Sequence, residues 1–231
     1  MPSLALVIPA AGSGKRLGSK VPKPFIELCG KPILHYTLRT FAQVDGLKEV
    51  VIATAPEFRG MAQTIMQEAL PEEVISRWVA GGKERQFSIY NALKEVGDVD
   101  LVAVHDAVRP FVAPAIIQQC ITEADEAGGA IVAVPAKDTI KRTGADLEIV
   151  ETPDRSRLWQ SQTPQIFRKK LLVEAYEEAI KKEFVGTDDA SLVEPLGATI
   201  KLVEGNRTNF KITYPFDLEV AELLIRKKEQ T

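Results

Sequence analysis

Residues 4–18 read LALVIPAAGSGKRLG, and this stretch sets the expected fold. Its first five residues are apolar without alternation, which predicts a strand buried on both faces of a sheet. Pro9 ends the run, and the small residues after it predict a tight turn whose backbone amides can cradle phosphate oxygens. Lys15 and Arg16 add positive charge there. The stretch therefore predicts a strand followed by a turn that binds an anionic ligand.

The spacing of this turn separates it from two common nucleotide-binding motifs. Leu17 stands where the Rossmann fingerprint needs its third glycine. Pro9 takes the place of the first glycine of a P-loop, and Arg16 takes the place of its Ser or Thr. An NAD-dependent dehydrogenase is therefore disfavoured, and an NAD-binding assay would test that alternative.

Outward from this stretch, short apolar runs alternate with helical patterns. The other main strand candidates are residues 49–53, 101–104 and 130–134. Apolar residues at helical spacing mark residues 116–124, 171–179 and, after Pro215, 218–225. Strands and helices in alternation predict an α/β fold with a mainly parallel sheet flanked by helices.

Residues 137–157 interrupt this alternation with polar and charged sequence. Residues 139–140 and 148–150 favour strand and flank the turn-forming residues 143–146, which predicts a protruding β-hairpin rather than a loose surface loop. The edges of such an arm are unpaired and need covering. We therefore expect a homodimer joined through residues 137–157.

Length and composition limit the classes of protein to consider. The chain has 231 residues, enough for a sizeable core, and we expect one domain over residues 1–231. Lys and Arg number 29 and Asp and Glu 32, so the net charge of -3 disfavours nucleic-acid binding. No apolar stretch approaches the ~20 residues that span a bilayer. Two distant cysteines, Cys29 and Cys120, fit no disulfide framework or zinc site, and we expect a cytoplasmic protein that binds no membrane.

Candidate site residues follow the predicted strands, because ligands of open parallel sheets bind beyond the carboxyl ends of the strands. Lys23 lies in a proline-stiffened loop after the glycine-rich turn, and residues 80–88 contain a second glycine pair. Asp106, at a strand end, is a natural ligand for Mg²⁺, the usual escort of a nucleoside triphosphate. Arg109 offers a bidentate phosphate partner. Later polar segments cover residues 163–165, 187–191 and 209–213.

Each of these features has a structural alternative. Both glycine-rich segments could be ordinary turns, Asp106 and Arg109 could pair with each other, and Thr187 could cap a helix. His105 ends an apolar strand, which is more typical of a packed, hydrogen-bonded residue than of a general base. With only His35 and His105 and no G-x-S-x-G motif, a serine-hydrolase triad is disfavoured.

Six motifs occur in a fixed order along nearly the whole chain. They are Pro9-Ala10-Ala11-Gly12-x-Gly14-x-Arg16 with Lys23-Pro24, Gly81-Gly82-x-x-Arg85-x-x-Ser88, His105-Asp106-Ala107-x-Arg109-Pro110, Thr163-Pro164-Gln165, Thr187-Asp188-Asp189-Ala190-Ser191 and Asn209-x-Lys211-x-Thr213. Each motif is weakly specific, but the ordered set, from residue 4 to about 225, resembles the 2-C-methyl-D-erythritol 4-phosphate cytidylyltransferase family.

This resemblance implies a Rossmann-like nucleotidyltransferase fold and a homodimer joined through the arm. It implies that CTP and methylerythritol phosphate give a CDP-alcohol and pyrophosphate, with Mg²⁺ as cofactor. The attacking phosphate is already an oxyanion at neutral pH, so the transfer needs positioning and charge neutralisation rather than a general base.

The resemblance also implies a role for each matched residue. The residues that would act on the reacting phosphates are Arg16, Lys23, Lys211 and Arg155. The residues that would bind CTP are Pro9, Ala10, Ala11, Gly12, Gly14, Gly82, Arg85, Ser88 and Ala107. The residues that would contact the polyol phosphate are Asp106, Arg109, Thr139, Thr163 and Thr187. Asp106 would also sit near the metal, and Thr139 and Arg155 would reach in from the partner's arm.

Three points stay open at the level of sequence. Lys83 departs from the acidic residue found in some members, which matters only if that side chain, not the backbone, contacts the base. A ribitol-5-phosphate cytidylyltransferase shares the fold and the nucleotide motifs. A nucleotide-binding regulatory protein without turnover is a more distant alternative, which the presence of Arg16, Lys23 and Asp106 disfavours.

Overall fold

A seven-stranded sheet organises the chain in the computed structural model, which describes residues 1–12 and 21–229. The strands are β1 (Leu4–Pro9), β2 (Glu27–Leu28), β3 (Lys31–Pro32), β4 (Leu47–Thr54), β5 (Ile75–Ala80), β6 (Leu101–Val104), β7 (Gly128–Pro135), β8 (Arg142–Thr143), β9 (Ile149–Glu151), β10 (Trp159–Arg168) and β11 (Thr199–Glu204). The α-helices are α1 (Ile33–Phe41), α2 (Arg59–Ala69), α3 (Arg85–Glu95), α4 (Pro114–Ala127), α5 (Lys169–Lys181), α6 (Ala190–Val193) and α7 (Pro215–Glu229).

The large sheet is mainly parallel, as the sequence predicts. Its strand order is β11-β7-β10-β6-β1-β4-β5, and β10 alone runs antiparallel to its neighbours β6 and β7. The four main predicted strands correspond to β1, β4, β6 and β7, and the three predicted helices correspond to α4, α5 and α7. The expected α/β fold with helices around a mainly parallel sheet is confirmed.

Helices cover both faces of the sheet, which explains why β1 and β6 at its centre are apolar throughout. On β1, Leu4, Leu6 and Ile8 pack into a core formed with α1, α2 and α4. Ala5 and Val7 point to the opposite face, into a second core formed with α3, α5 and α6. Because successive side chains of a strand alternate between faces, a strand buried on both sides must be apolar at every position.

Local sequence signals explain the ends of α4, the helix beside β7. It begins with Pro114, whose missing N–H and fixed φ suit the first turn. It ends at Gly128, whose φ of 103° lies in the left-handed region that glycine adopts without strain.

A third apolar cluster fixes α7 against the segment that leads into the pocket. Ala221 and Ile225 of α7 pack on Leu28 and Ile33, and Ile212 and Phe111 complete the cluster. This packing places residues 209–213 beside the carboxyl end of β6, where Ile212 N–H bonds the carbonyl of Val108 at 3.0 Å.

The predicted arm is a hairpin, with its first strand slightly later than expected. β8 and β9 pair antiparallel, but β8 covers residues 142–143 rather than the predicted 139–140. In the turn, Gly144 N–H donates to the carbonyl of Glu148 at 3.0 Å, and Leu147 N–H donates to the carbonyl of Gly144 at 3.3 Å. Among the described residues, no helix is long and apolar enough to span a membrane.

Candidate active site

The main pocket opens at the carboxyl ends of β1, β5 and β6, where an open parallel sheet places its ligands. Its volume is about 560 Å³. Residues from the ends of these strands and from two loops line it: Pro9, Ala10, Ala11, Gly12, Lys23, Pro24, Gly82, Lys83, Glu84, Arg85, Ser88, Asp106, Ala107, Val108 and Lys211. The segments singled out in the sequence after three predicted strands therefore meet in one place.

One end of the pocket is built from tightly packed backbone. A Cβ on Gly81 would overlap that of Ala11, and one on Gly82 would overlap that of Phe87. Gly82 N–H donates to Ser88 Oγ at 3.0 Å, and this hydroxyl donates to the carbonyl of Glu84 at 3.1 Å. Only glycine allows this approach, so this end is a rigid wall of backbone groups suited to the edge of a flat ring.

Another part of the pocket is dominated by Asp106, whose carboxylate is shared among three cations. Oδ2 lies 3.1 Å from Lys211 Nζ and accepts from Arg109 Nε at 3.1 Å, while Oδ1 accepts from Arg85 Nε at 3.4 Å. Burial disfavours the charge of Asp106, yet Lys211, Arg85 and Arg109 outweigh it and hold the pKa of this carboxyl well below its usual range. Asp106 is therefore ionised at neutral pH.

Arg85 also binds a second carboxylate away from the pocket. Its Nη1 and Nη2 donate to Oδ1 and Oδ2 of Asp189 at 3.2 and 2.8 Å. Asp189 is fully buried, and its Oδ1 also accepts from the hydroxyl of Tyr176. Arg85, Arg109 and Lys211 outnumber the two carboxylates, so the cluster carries one net positive charge and suits an anionic ligand.

Lys23 reaches the pocket from the loop before β2. It begins a short 3-10 helix, residues 23–25, and its Nζ donates to the carbonyl of Thr213 at 2.9 Å. Thr213 is itself held by Asp217 at the start of α7, since its N–H donates to Oδ2 of that residue at 2.7 Å. The segment that carries Lys211 thus also orients Lys23.

His105 is a packed, hydrogen-bonded residue, in line with the structural alternative. Its Nε2 lies 3.0 Å from the carbonyl of Arg109, and its Nδ1 lies 3.1 Å from Thr163 Oγ1. These partners assign Nε2 as the donor and Nδ1 as the acceptor. Burial lowers the pKa of His105 to about 4, so the ring is neutral at neutral pH. Its ring also packs against Phe41.

Several predicted site residues lie behind or beside the pocket. Arg109 forms the predicted alternative ion pair with Asp106 and donates to the carbonyl of Asn209 at 2.8 Å. Thr163 is buried, and its hydroxyl accepts from Asp106 N–H at 3.0 Å. Arg109 thus holds the carboxylate of Asp106 and Thr163 holds its backbone, and their contact with a polyol phosphate stays a prediction.

Thr187 lies beside a second, smaller pocket of about 210 Å³ on the other side of Arg85. It does not cap a helix, so this alternative is wrong. Instead, Asp188 Oδ1 accepts from Ser191 N–H at 3.0 Å at the start of α6. Thr139 and Arg155 are exposed on the arm, and Arg155 Nη1 donates to the carbonyl of Lys137 at 2.8 Å. Gly14 and Arg16 lie outside the described residues.

The described residues do not form a magnesium site of their own. Both oxygens of Asp106 are engaged by cations, which would repel a divalent ion. Among residues 1–12 and 21–229, no group of three or more His, Cys, Asp or Glu could hold a metal ion. The structure therefore gives no support to the metal role predicted for Asp106.

Three residues that hold the site residues in place, Asp189, Asn209 and Tyr176, have no role assigned to them in the sequence analysis. Asp189 occurs in a quoted motif, and its position next to a second acid was the available signal. Asn209 donates to the carbonyl of Thr163 at 2.9 Å and to Gln162 Oε1 at 3.0 Å, closing the wall behind Asp106. Tyr176 falls on the apolar stripe of α5, where a tyrosine is not distinguishable from core.

Comparison with known proteins agrees with this geometry. The family model described as IspD: 2-C-methyl-D-erythritol 4-phosphate cytidylyltransferase matches residues 4–227. The protein of that name from Caldanaerobacter subterraneus subsp. tengcongensis is 42% identical over 97% of this chain and 100% of its own length. The one from Bacillus licheniformis is 43% identical over 97% and 96%.

Solved structures give the same result. The 4-diphosphocytidyl-2C-methyl-D-erythritol synthase of Anaerococcus prevotii superposes with a TM-score of 0.87 at 30% identity, covering 97% of this chain and 96% of its own. The 2-C-methyl-D-erythritol 4-phosphate cytidylyltransferase of Thermus thermophilus gives a TM-score of 0.78 at 33% identity, covering 97% and 99%.

Proposed function

The chain belongs to the 2-C-methyl-D-erythritol 4-phosphate cytidylyltransferase family, and from that premise we propose how its pocket works. The enzyme transfers a cytidylyl group from CTP to 2-C-methyl-D-erythritol 4-phosphate in isoprenoid biosynthesis. The products are 4-diphosphocytidyl-2-C-methyl-D-erythritol and pyrophosphate. The observation that carries the assignment to this pocket is its lining, which combines a rigid glycine wall with a net positive cluster around Asp106.

In the transfer, an oxygen of the substrate phosphate attacks the α-phosphorus of CTP. The new P–O bond forms as the bond from the α-phosphorus to the bridging oxygen breaks, and pyrophosphate leaves in line with the attack. The attacking phosphate is already an oxyanion, so no group has to remove a proton. This suits a pocket whose neighbouring histidine, His105, is buried and neutral with a pKa lowered to about 4.

The charged side chains divide the work by position. Lys23 and Arg16 bind the triphosphate and neutralise charge that develops on the α-phosphate, and Lys211 faces the substrate phosphate from the other wall. Gly82 and Ser88 hold the cytosine edge. The closely packed glycine wall selects a pyrimidine by its size in this proposal.

The second substrate is completed by the arm of a partner subunit. We propose a homodimer in which Thr139 and Arg155 of one chain reach the polyol phosphate of the other. In a single chain these two side chains are exposed and lie away from the pocket. The arm also exposes apolar side chains, among them Leu147, Ile149 and Val150, that a dimer would cover.

We propose that magnesium arrives on the triphosphate and not on a protein carboxylate, since Arg85, Arg109 and Lys211 engage both oxygens of Asp106. The cation would then neutralise phosphate charge. We also place the reaction in the cytoplasm, a reducing compartment that suits the free thiols of Cys29 and Cys120.

Pyrophosphate release with CTP tests the function and its alternative. Methylerythritol 4-phosphate and ribitol 5-phosphate are offered separately to the full chain, before and after removal of divalent cations with EDTA. Release with methylerythritol phosphate supports the proposal. Release only with ribitol phosphate would keep the nucleotide site and mechanism but change the acceptor. No release with either would favour the regulatory alternative.

A further inference from the structure

Tyr176 lies behind the active site, and nothing in the reaction described above uses it. It sits on α5, is 1% exposed, and does not line the main pocket. Its hydroxyl donates to Oδ1 of Asp189, which is completely buried and belongs to the turn before α6. Burial, together with the charge of Asp189, raises the pKa of Tyr176 well above its ordinary value, so the hydroxyl remains a donor.

Asp189 accepts the hydrogen bond from the Tyr176 hydroxyl and also forms an ion pair with Arg85. Both terminal nitrogens of the guanidinium donate to the carboxylate, at 3.2 and 2.8 Å, in a two-pronged contact that fixes the plane of the side chain. Oδ1 of Asp189 thus accepts from both Tyr176 and Arg85, and Oδ2 accepts from Arg85 alone.

Arg85 occupies a position where a cation needs such support. It is the first residue of α3, and no acidic residue stands in the first turn of that helix. The N-terminus of a helix carries partial positive charge and disfavours a cation. The side chain is 31% exposed and lines the pocket, where its Nε lies 3.4 Å from Oδ1 of Asp106. Asp189 and Asp106 together offset this unfavourable placement.

The bidentate contact with Asp189 also limits how Arg85 binds Asp106. With Nη1 and Nη2 engaged, only Nε reaches Oδ1 of Asp106, at 3.4 Å, and Oδ2 stays with Lys211 and Arg109. An Arg85 released from Asp189 could take both oxygens of Asp106 and displace Lys211 from its place in the pocket. Lys211 is four contacts away from Tyr176, through Asp189, Arg85 and Asp106, so the Tyr176 hydroxyl bears on its position.

We propose that Tyr176 is a positioning residue for the transfer reaction, acting through Asp189 and Arg85 on Asp106 and Lys211. The proposal rests on the proposed function of the pocket. It assigns no chemical step to Tyr176, whose hydroxyl keeps its proton throughout.

The test compares Tyr176→Phe with Tyr90→Phe. The two rings stack with centroids 6.4 Å apart, and the Tyr90 hydroxyl has no hydrogen-bond partner among residues 1–12 and 21–229. We expect Tyr176→Phe to lower kcat roughly ten-fold, the rate equivalent of about 1.4 kcal/mol, while Tyr90→Phe leaves it unchanged. The KM for CTP should change less than kcat, because Gly82 and Ser88, which hold the base in the proposed function, do not contact Tyr176.

A double-mutant cycle separates positioning from packing. In an Arg85→Lys background the two-pronged contact is absent, so Tyr176→Phe should lower kcat by less than about two-fold further. The proposal would be overturned if the double variant lost kcat by the product of the two single fold-decreases. A normal kcat in Tyr176→Phe alone would also overturn it. Pyrophosphate release by the unaltered chain is measured first, so a failure of the proposed function is seen separately.

Discussion

Asp106 is the residue on which the charge of the pocket depends. Its carboxylate pairs with Lys211, Arg109 and Arg85. Its backbone N–H donates to the hydroxyl of Thr163, and Thr163 is held in turn by His105 and Asn209. At this scale the site is a set of cations whose positions are fixed before any phosphate arrives. Preorganised charge of this kind stabilises a transition state without the cost of reorientation.

In the proposed mechanism, Lys23 neutralises charge on the triphosphate from the loop before β2. We expect Lys23→Ala to lower turnover by roughly 10²-fold or more, the size found when one electrostatic donor is removed. Steady-state pyrophosphate release measures it. Lys31→Ala is the control, because Lys31 is half-exposed, pairs with Glu68 and lies outside the pocket. Near-normal turnover of Lys23→Ala would rule out the assigned role.

The lowered pKa of Asp106 predicts a pH-dependent contribution to stability. A carboxyl with a depressed pKa in the folded protein stabilises it above the unfolded-chain pKa of ~3.9, and the contribution is lost as the pH falls through the folded value. We expect Asp106→Asn to lower the free energy of unfolding by about 1–3 kcal/mol at pH 7, the partial exposure of Lys211 and Arg85 reducing the loss. The deficit should shrink below about pH 4.

Denaturant unfolding of both proteins at pH 7 and at pH 3 measures this difference. Asp146→Asn, at an exposed position in the turn of the arm, controls for the loss of a charge alone. A deficit that is absent at pH 7, or that grows on acidification, would contradict the pairing described here.

The residues that line the pocket were predictable where small residues and charges follow apolar strands. Lys23, Gly82, Arg85, Asp106 and Lys211 all meet there. Tyr176 was not predictable, since its spacing on α5 is that of a core residue. Its role follows only from a hydroxyl partner, Asp189, that is distant in sequence.

Among the secondary-structure elements, β10 shows how the site shapes the sheet. It lies between β6 and β7, yet its sequence WQSQTPQIFR is polar and contains a proline. Pro164 falls where the pairing with β7 shifts register, between Ser161 and Gln165, so the ladder loses no donor there. Thr163 and Gln165 instead serve Asp106 and the start of α6.

For this reason β10 is the central strand that sequence patterning does not predict. The apolar strands β1, β6 and β7, and the apolar residues 50–53 of β4, are predictable from their own sequence, because burial on both faces requires apolar residues at every position. A strand such as β10, which contributes polar side chains to the site, lacks the continuous apolar sequence by which a buried strand is predicted.

The arm is the element that carries a prediction of its own. We expect Arg155→Ala to raise the KM for the polyol phosphate and to leave CTP binding largely intact, because the nucleotide end of the pocket contains no arm residue. Separate titrations of the two substrates measure it. Arg157→Ala, in the same exposed turn, is the matched control. A selective loss of CTP affinity would contradict the arm's place in the site.

For the whole molecule, the account requires two chains to complete each site. Two exposed apolar residues give a matched test, since Ile149 on the arm and Leu223 on α7 are each 64% exposed. We expect Ile149→Glu to weaken the dimer, because a charge would be buried in the interface, and Leu223→Glu to leave it intact. Sedimentation velocity measures both. A monomeric unaltered chain, or equal effects of the two changes, would contradict the arm interface.

In the proposed function, this pocket joins the α-phosphate of CTP to methylerythritol phosphate. Following the phosphorus atoms by ³¹P NMR, while the full chain acts on CTP and methylerythritol 4-phosphate with Mg²⁺, tests that bond formation itself. We expect pyrophosphate and a new diphosphate linking cytidine to methylerythritol to appear in equal amounts. Formation of CMP and pyrophosphate without the diphosphate, or an unchanged spectrum, would contradict it.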